Sequence, residues 1–180
     1  MAATSSSSKP VQQLITKLEK TYPFIAFQAS NTFYWNPRQQ IVCYNPSDDS
    51  VEAQWSLLHE LCHALLEHKT YRFDLELLLI EAAAWSKAIE LQKELNISKP
   101  IDDDHIQDCL DTYRDWLYSR STCPTCDQVG LQEKPGRYNC INCSVSWHVS
   151  SKRFSRPYRL CSSPNIKTSS DSTAKQMKFY

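Results

Sequence analysis

The run from Val51 to Leu66, VEAQWSLLHELCHALL, is apolar, free of Gly and Pro, and centred on His59-Glu60-Leu61-Cys62-His63. Such a run reads as one helix, opened by a capping box at Asp49-Ser50-Val51-Glu52 and ending near Glu67. Residues four apart stand one above the other on a helix, so His59 and His63 share a face. Two imidazoles so placed can hold one metal ion, and Glu60, beside the first, can reach a water on that metal. The alternative is a surface helix with two unrelated histidines. Against it stand Trp55, Leu57, Leu58, Leu61, Cys62, Leu65 and Leu66, which supply an apolar surface that would bury the helix.

A catalytic zinc takes three protein ligands and keeps one open position. The chain has five histidines, so the other candidates are few. His68 lies five residues after His63, on another helix face or beyond the helix end. A metzincin pattern would need Gly at 66 and His at 69, where Leu66 and Lys69 stand. His105 opens a later acidic helix, and His148 lies beside a cysteine cluster. A carboxylate fits better. Asp74 to Leu91, DLELLLIEAAAWSKAIEL, reads as a second long helix, with Glu76 and Glu81 in its first half. Glu81 sits between Leu78-Leu79-Ile80 and Ala82-Ala83-Ala84, where a charge is expensive to bury without a partner such as zinc. The three alanines would let this helix approach the first closely. Glu81 is the expected third ligand and Glu76 the alternative.

HELCHALLEH followed by IEAAAWSKAIEL resembles the ImmA/IrrE family of zinc metallopeptidases, whose motif is HExxH with a Glu on the next helix. The resemblance covers roughly residues 9–118. It implies an α+β, zincin-like fold of gluzincin type, with His59, His63 and Glu81 on a catalytic zinc and Glu60 as general base. It also implies regulatory cleavage of a helix-turn-helix repressor, with substrate added to the edge of a small sheet. That family often has Glu two residues before the downstream Glu and Asn or Asp two after; Leu79 and Ala83 stand there instead. An oxyanion donor would come from Tyr71, His68 or His105.

The sheet is expected to be small and antiparallel. Phe24–Phe27, Thr32–Trp35 and Ile41–Tyr44 have strand composition, and Asn36-Pro37-Arg38-Gln39 is a turn signal. Before them, Val11, Leu14, Ile15 and Leu18 mark one face of a short helix over 10–20. After Lys99-Pro100, a further helix begins at Asp102-Asp103-Asp104, acids suited to the positive end of its dipole, and closes the core. MAATSSSSKP has neither a charged n-region nor an apolar h-region, so it reads as a disordered lead-in and not a signal peptide. No apolar run approaches the length of a membrane span.

Cys123-Pro124-Thr125-Cys126 and Cys140-Ile141-Asn142-Cys143 are two CxxC knuckles thirteen residues apart. Together they offer a closed tetrahedral shell of four thiolates, the signature of a structural zinc. The segment looks like a zinc ribbon, with strands over 134–140 and 144–149 filled by Tyr138 and Trp147. Ribbons usually carry Gly just after each knuckle. Here Asp127 and Ser144 must take up that left-handed turn. Cys43, Cys62, Cys109 and Cys161 are scattered singly, which fits buried thiols in a reducing cytoplasm better than a disulfide framework. The organisation expected is a disordered tail (1–8), a metallopeptidase domain (9–120), a ribbon with a basic flank (121–160) and a flexible tail (161–180).

A net charge of zero hides an uneven distribution. Residues 46–118 hold 16 Asp+Glu against 6 Lys+Arg, a balance of −10, so the remainder carries +10. Lys152, Arg153, Arg156 and Arg159, interleaved with aromatics, suit nucleic acid or an acidic protein partner, or the chain's own acidic domain. The expectation is a zinc-dependent endopeptidase with one catalytic and one structural Zn2+. Two other readings share the sequence. HELCHA also resembles the SprT/Spartan family, proteases acting on DNA-bound protein, although that family uses a third histidine well downstream. The last is a non-catalytic zinc-binding adaptor for nucleic acid or protein.

Overall fold

A computed structural model of the chain describes residues 9–150 and 159–162. The expected tail over 1–8, most of the one over 161–180, and Lys152, Arg153 and Arg156 lie outside the described residues. The architecture is α+β, and the chain divides into two compact units, Met1–Arg120 and Ser121–Tyr180.

The first unit opens with α1 (Pro10–Thr21), which has Pro at its start and buries Val11, Leu14, Ile15 and Leu18 on one stripe. Three short strands follow, β1 (Ala26–Ala29), β2 (Tyr34–Asn36) and β3 (Ile41–Tyr44), in the order β1-β3-β2. The sheet is mixed, which corrects the antiparallel sheet expected from sequence. β2 and β3 pair antiparallel across the Asn36–Gln40 turn, but β3 then runs parallel to β1, with Phe27 opposite Val42. The reason lies in burial. Val42 and Cys43 make β3 the one strand of the three with fully covered residues, so it takes the central place and separates its two predecessors.

α2 (Val51–Leu65) packs on β3, β2, α1 and α3. Its cap is Ser50, one residue later than the expected Asp49; the Ser50 hydroxyl accepts from the Ala53 N–H at 3.0 Å. Ala53, Trp55, Leu57, Leu58, His59, Leu61, Cys62 and His63 are all buried, more than one face can supply, so α2 is the central helix. α3 (Asp74–Glu94) buries Asp74, Leu77, Glu81, Ala84, Trp85, Ala88, Leu91 and Gln92 at helical spacing. Ala84 and Ala88, fully buried, permit the close approach to α2, whereas Ala83 faces solvent.

Three polar residues stand in that buried stripe, and each is answered. Asp74 meets Arg120 of α4 (Asp103–Ser121) at 2.6 Å. The Gln92 amide donates to the Lys99 carbonyl and accepts from the Ile101 N–H at 2.9 Å, fixing the turn into α4. Glu81 meets the histidines of α2. No helix among the described residues is long and apolar enough to cross a membrane.

The second unit is a sheet of four strands in the order β4-β5-β6-β7: β4 (Leu131–Lys134), β5 (Arg137–Asn139), β6 (Ser146–Val149) and β7 (Arg159–Ser162). The single strand expected over 134–140 is broken, because Pro135-Gly136 makes a hairpin turn in which Gly136 takes φ +67°. β7 crosses the boundary drawn at 160. The core is small, with Cys123, Tyr138, Cys140, Val145 and Trp147 buried and the Tyr138 and Trp147 rings stacked 5.6 Å apart.

Candidate metal centres and the site on helix α2

The turn-to-turn spacing of α2 places His59 and His63 side by side, and α3 crosses them with Glu81. His59 Nε2 lies 3.0 Å from His63 Nε2 and 3.1 Å from Glu81 Oε2, and His63 Nε2 lies 3.5 Å from the same oxygen. All three residues are buried. Ligands on a tetrahedral zinc at 2.0–2.1 Å would stand about 3.3–3.4 Å apart. The three donor atoms therefore have the spacing and the chemistry to hold a zinc ion. Burial pushes the Glu81 carboxyl up, but hydrogen bonding and attraction to His59 and His63 outweigh it and hold the group below its ordinary range.

Glu76 stands elsewhere. Its Oε2 accepts from the N–H groups of Arg72 at 2.7 Å and Phe73 at 3.2 Å, capping the start of α3. Glu60, one residue along from His59 and half-buried, turns toward the sheet, where its Oε2 accepts from the Trp35 N–H at 2.7 Å. β2 is an edge strand, and this N–H points away from β3. Beside Trp35 and Ala64, one turn below Glu60, opens a cavity of about 290 Å³ lined by apolar side chains such as Phe24, Ile25 and Leu65 and by Gln40, Glu67 and Lys69.

The two imidazoles are held by different means. His59 stacks on the Trp85 indole, centroids 4.1 Å apart and planes 26° off parallel, and its Nδ1 has no hydrogen-bond partner among the described residues. His63 Nδ1 lies 2.9 Å from Nδ1 of His68. Burial and the neighbouring His63 hold the His68 imidazole below its ordinary value. Trp35 Nε1 donates to the His68 carbonyl at 2.8 Å. His105 packs instead against Trp55 and Trp85, with Nε2 3.6 Å from Cys109 Sγ, and His148 is exposed on β6. The roles of Trp35 and Trp85 left no mark in the sequence. The five-residue interval from His63 to His68 was visible, but its meaning depended on how the helix ends.

In the second unit the knuckles are built alike. The Asp127 N–H donates to the Cys123 carbonyl at 3.1 Å and the Ser144 N–H to the Cys140 carbonyl at 2.9 Å. The Cys123 N–H reaches Gln128 O at 2.8 Å and the Cys140 N–H reaches Val145 O at 2.9 Å. Asp127 and Ser144 take φ 58° and 61°, the left-handed turns that Gly usually supplies. Sulfur separations are 3.6 Å for Cys123–Cys143 and 3.5 Å for both Cys126–Cys140 and Cys126–Cys143. Tetrahedral thiolates at 2.3 Å from zinc would stand about 3.8 Å apart, so this donor set also fits the ion. Hydrogen bonds from the Asn142 amide and from the main chain at Gln128 pull the Cys126 thiol down to about 6.

Residues 23–97 match a peptidase family described as the IrrE N-terminal-like domain. The resemblance to ImmA/IrrE peptidases is thereby shown. No curated protein and no solved structure matches the chain. The matched segment contains all three strands, the whole of α2 and α3, and hence every residue of the His59–His63–Glu81 cluster. An ImmA/IrrE-like domain supports a metallopeptidase type of function for the first unit.

Proposed function

We propose that the chain is a zinc-dependent endopeptidase of the ImmA/IrrE kind, with its catalytic metal on His59, His63 and Glu81. The observation that carries this reading is the convergence of His59 Nε2, His63 Nε2 and Glu81 Oε2 within 3.0–3.5 Å of one another. Zinc bound there would polarise a scissile carbonyl and acidify a water. The chain's own groups do the rest. Glu60 is the proton carrier, taking a proton from the attacking water and passing it to the leaving amine. The Trp35 N–H holds its carboxylate in place until then. β2 lies at the edge of the sheet, where an extended peptide could be added, and the cavity beside Ala64, which mixes apolar and charged lining, could take one of its side chains.

The four cysteines hold a second, structural zinc in a ribbon, giving one catalytic and one structural ion per chain. The gluzincin-type assignment follows from the carboxylate ligand on the helix after the HExxH helix. By family likeness the substrate is a regulatory protein such as a helix-turn-helix repressor, cleaved in the cytoplasm. Lys152, Arg153, Arg156 and Arg159 would bring the ribbon to nucleic acid or to an acidic partner. The SprT/Spartan-like reading is weakened by Glu81, which stands where a third histidine would be needed.

Two measurements test the proposal. Elemental analysis of freshly purified protein should find two zincs per chain, one removed by mild chelation and one retained. Glu60→Gln should keep both zincs and lose cleavage of a protein or peptide substrate. One chelation-resistant zinc alone would sink the peptidase reading, and an unaltered cellular phenotype for Glu60→Gln would favour the adaptor.

A further inference from the structure

The end of α2 is a Schellman turn. The Glu67 N–H donates to Ala64 O at 3.1 Å and the His68 N–H to His63 O at 3.0 Å, with Glu67 left-handed at φ 55°. In this motif the residue two beyond the cap commonly folds its side chain back onto the residue three before it. Those two residues are His68 and His63. The usual apolar contact is replaced by an Nδ1-to-Nδ1 approach of 2.9 Å. The other end of His68 is tied as well, since its carbonyl accepts from the Trp35 indole at 2.8 Å.

Two ring nitrogens at this distance share one proton, so one imidazole donates and the other accepts. His63 directs Nε2 at His59 Nε2 and Glu81 Oε2. For that nitrogen to offer a lone pair to a cation, the His63 proton must sit on Nδ1. His68 Nδ1 must then be the acceptor and carry its own proton on Nε2.

We propose that His68 is the positioning residue of the zinc site: it fixes the His63 tautomer that presents Nε2 to the metal, and Trp35 fixes His68. The inference rests on the proposed zinc reading of the His59–His63–Glu81 cluster. It adds a residue that touches neither metal nor substrate. It also ties the metal site to the edge strand, because Trp35 holds Glu60 through its main chain and His68 through its indole. Partners of metal-bound histidines typically change metal affinity 10–100-fold when removed. Among the described residues His59 Nδ1 has no such partner, and its ring rests on Trp85, so the tautomeric constraint falls on His63.

The test uses the full chain and Zn2+ itself. Affinity of the chelator-labile site is measured by competition with a zinc-binding dye, and the zinc retained on the four cysteines serves as an internal control of folding. His68→Phe keeps a ring and deletes the acceptor; the expected result is weakening by about 10–100-fold. His68→Gln returns an acceptor oxygen and is expected to recover most of the loss. Proton–nitrogen correlation spectra should find wild-type His63 protonated on Nδ1 in the zinc form. Equal affinity for His68→Phe and wild type, or a His63 proton found on Nε2, overturns the proposal. If His68→Phe does not fold, the wild-type tautomer and the His68→Gln affinity decide it. If the wild type itself takes up only the cysteine-bound zinc, the catalytic-site reading has failed and this inference falls with it.

Discussion

The main-chain N–H of Trp35 donates to Glu60 Oε2 at 2.7 Å, so the carboxylate proposed as the proton carrier is also part of the packing between β2 and α2. These two duties separate by substitution. Glu60→Gln keeps an acceptor oxygen for Trp35 and removes the basic group. It should leave thermal unfolding nearly unchanged while hydrolysis of a peptide substrate falls by about 10²–10⁴-fold. Glu60→Leu also leaves the Trp35 N–H unpaired and should destabilise by about 1–3 kcal/mol. Melting curves for both variants, beside their rates, check the separation. Equal destabilisation of both would mean that the hydrogen bond contributes nothing.

Glu81 and Glu76 lie on one helix with opposite employments. Glu81→Gln should lose the chelator-labile zinc and keep the cysteine-bound one, whereas Glu76→Gln should keep both. The effect of Glu76 belongs to acid stability. Its main-chain hydrogen bonds from Arg72 and Phe73 hold the folded carboxyl below the usual value of about 4.3. The unfolded chain therefore binds the proton more readily. The stabilisation is present above the unfolded value and is lost as pH falls through the folded one. Glu76→Gln should flatten that acid limb in urea unfolding between about pH 5 and 3. An unchanged slope would rule the cap out as its source.

How far the sequence could be read depended on whether a signal was local. The run around His59 and His63, the acid among the apolar residues of α3, and the two CxxC pairs each state their chemistry within a few residues. The structure brings each set within reach of one ion. The strand order was not local. β3 goes to the centre because Val42 and Cys43 need cover on both sides, and no pair of adjacent residues announces a parallel match of Phe27 with Val42. The hairpin at Pro135-Gly136 was legible in principle, since that dipeptide is a strong turn signal inside an otherwise strand-like run. The His68 contact was hidden because Glu67, and not Gly, holds the left-handed position that ends α2.

Gly130 owes its place in the second unit to space. A Cβ there would lie 2.7 Å from Asn139 O and would run into Cη2 of the stacked Trp147 ring. Neither can retreat easily, because Asn139 is in β5 and Trp147 fills the small core. Gly130→Ala should destabilise this unit by about 1–3 kcal/mol. Hydrogen exchange should show faster opening of β4–β6, with amides of α2 and α3 unaffected. Unchanged protection in β4–β6 would mean that the ring moves aside at little cost.

Glu67 and Asn96 occupy equivalent places at the ends of α2 and α3. The Ile97 N–H donates to Gln92 O and the Asn96 N–H to Lys93 O, both at 3.1 Å, so α3 also ends in a Schellman turn. Asn96 takes φ 49° and Glu67 φ 55°. Asn tolerates this conformation; a longer side chain such as Glu meets its own backbone at a cost of roughly 1–2 kcal/mol. Gly removes that cost but gives back part of it through the greater freedom of the unfolded chain, roughly 0.5–1 kcal/mol. Glu67→Gly should therefore raise stability by up to about 1 kcal/mol, and Asn96→Gly by less. The urea midpoints of the two variants, compared with wild type, give the answer directly. A Glu67→Gly midpoint at or below wild type would show that the Glu67 side chain contributes contacts worth as much as the strain it carries. The turn that seats His68 against His63 would then be held by Glu67 as well as by its main-chain hydrogen bonds.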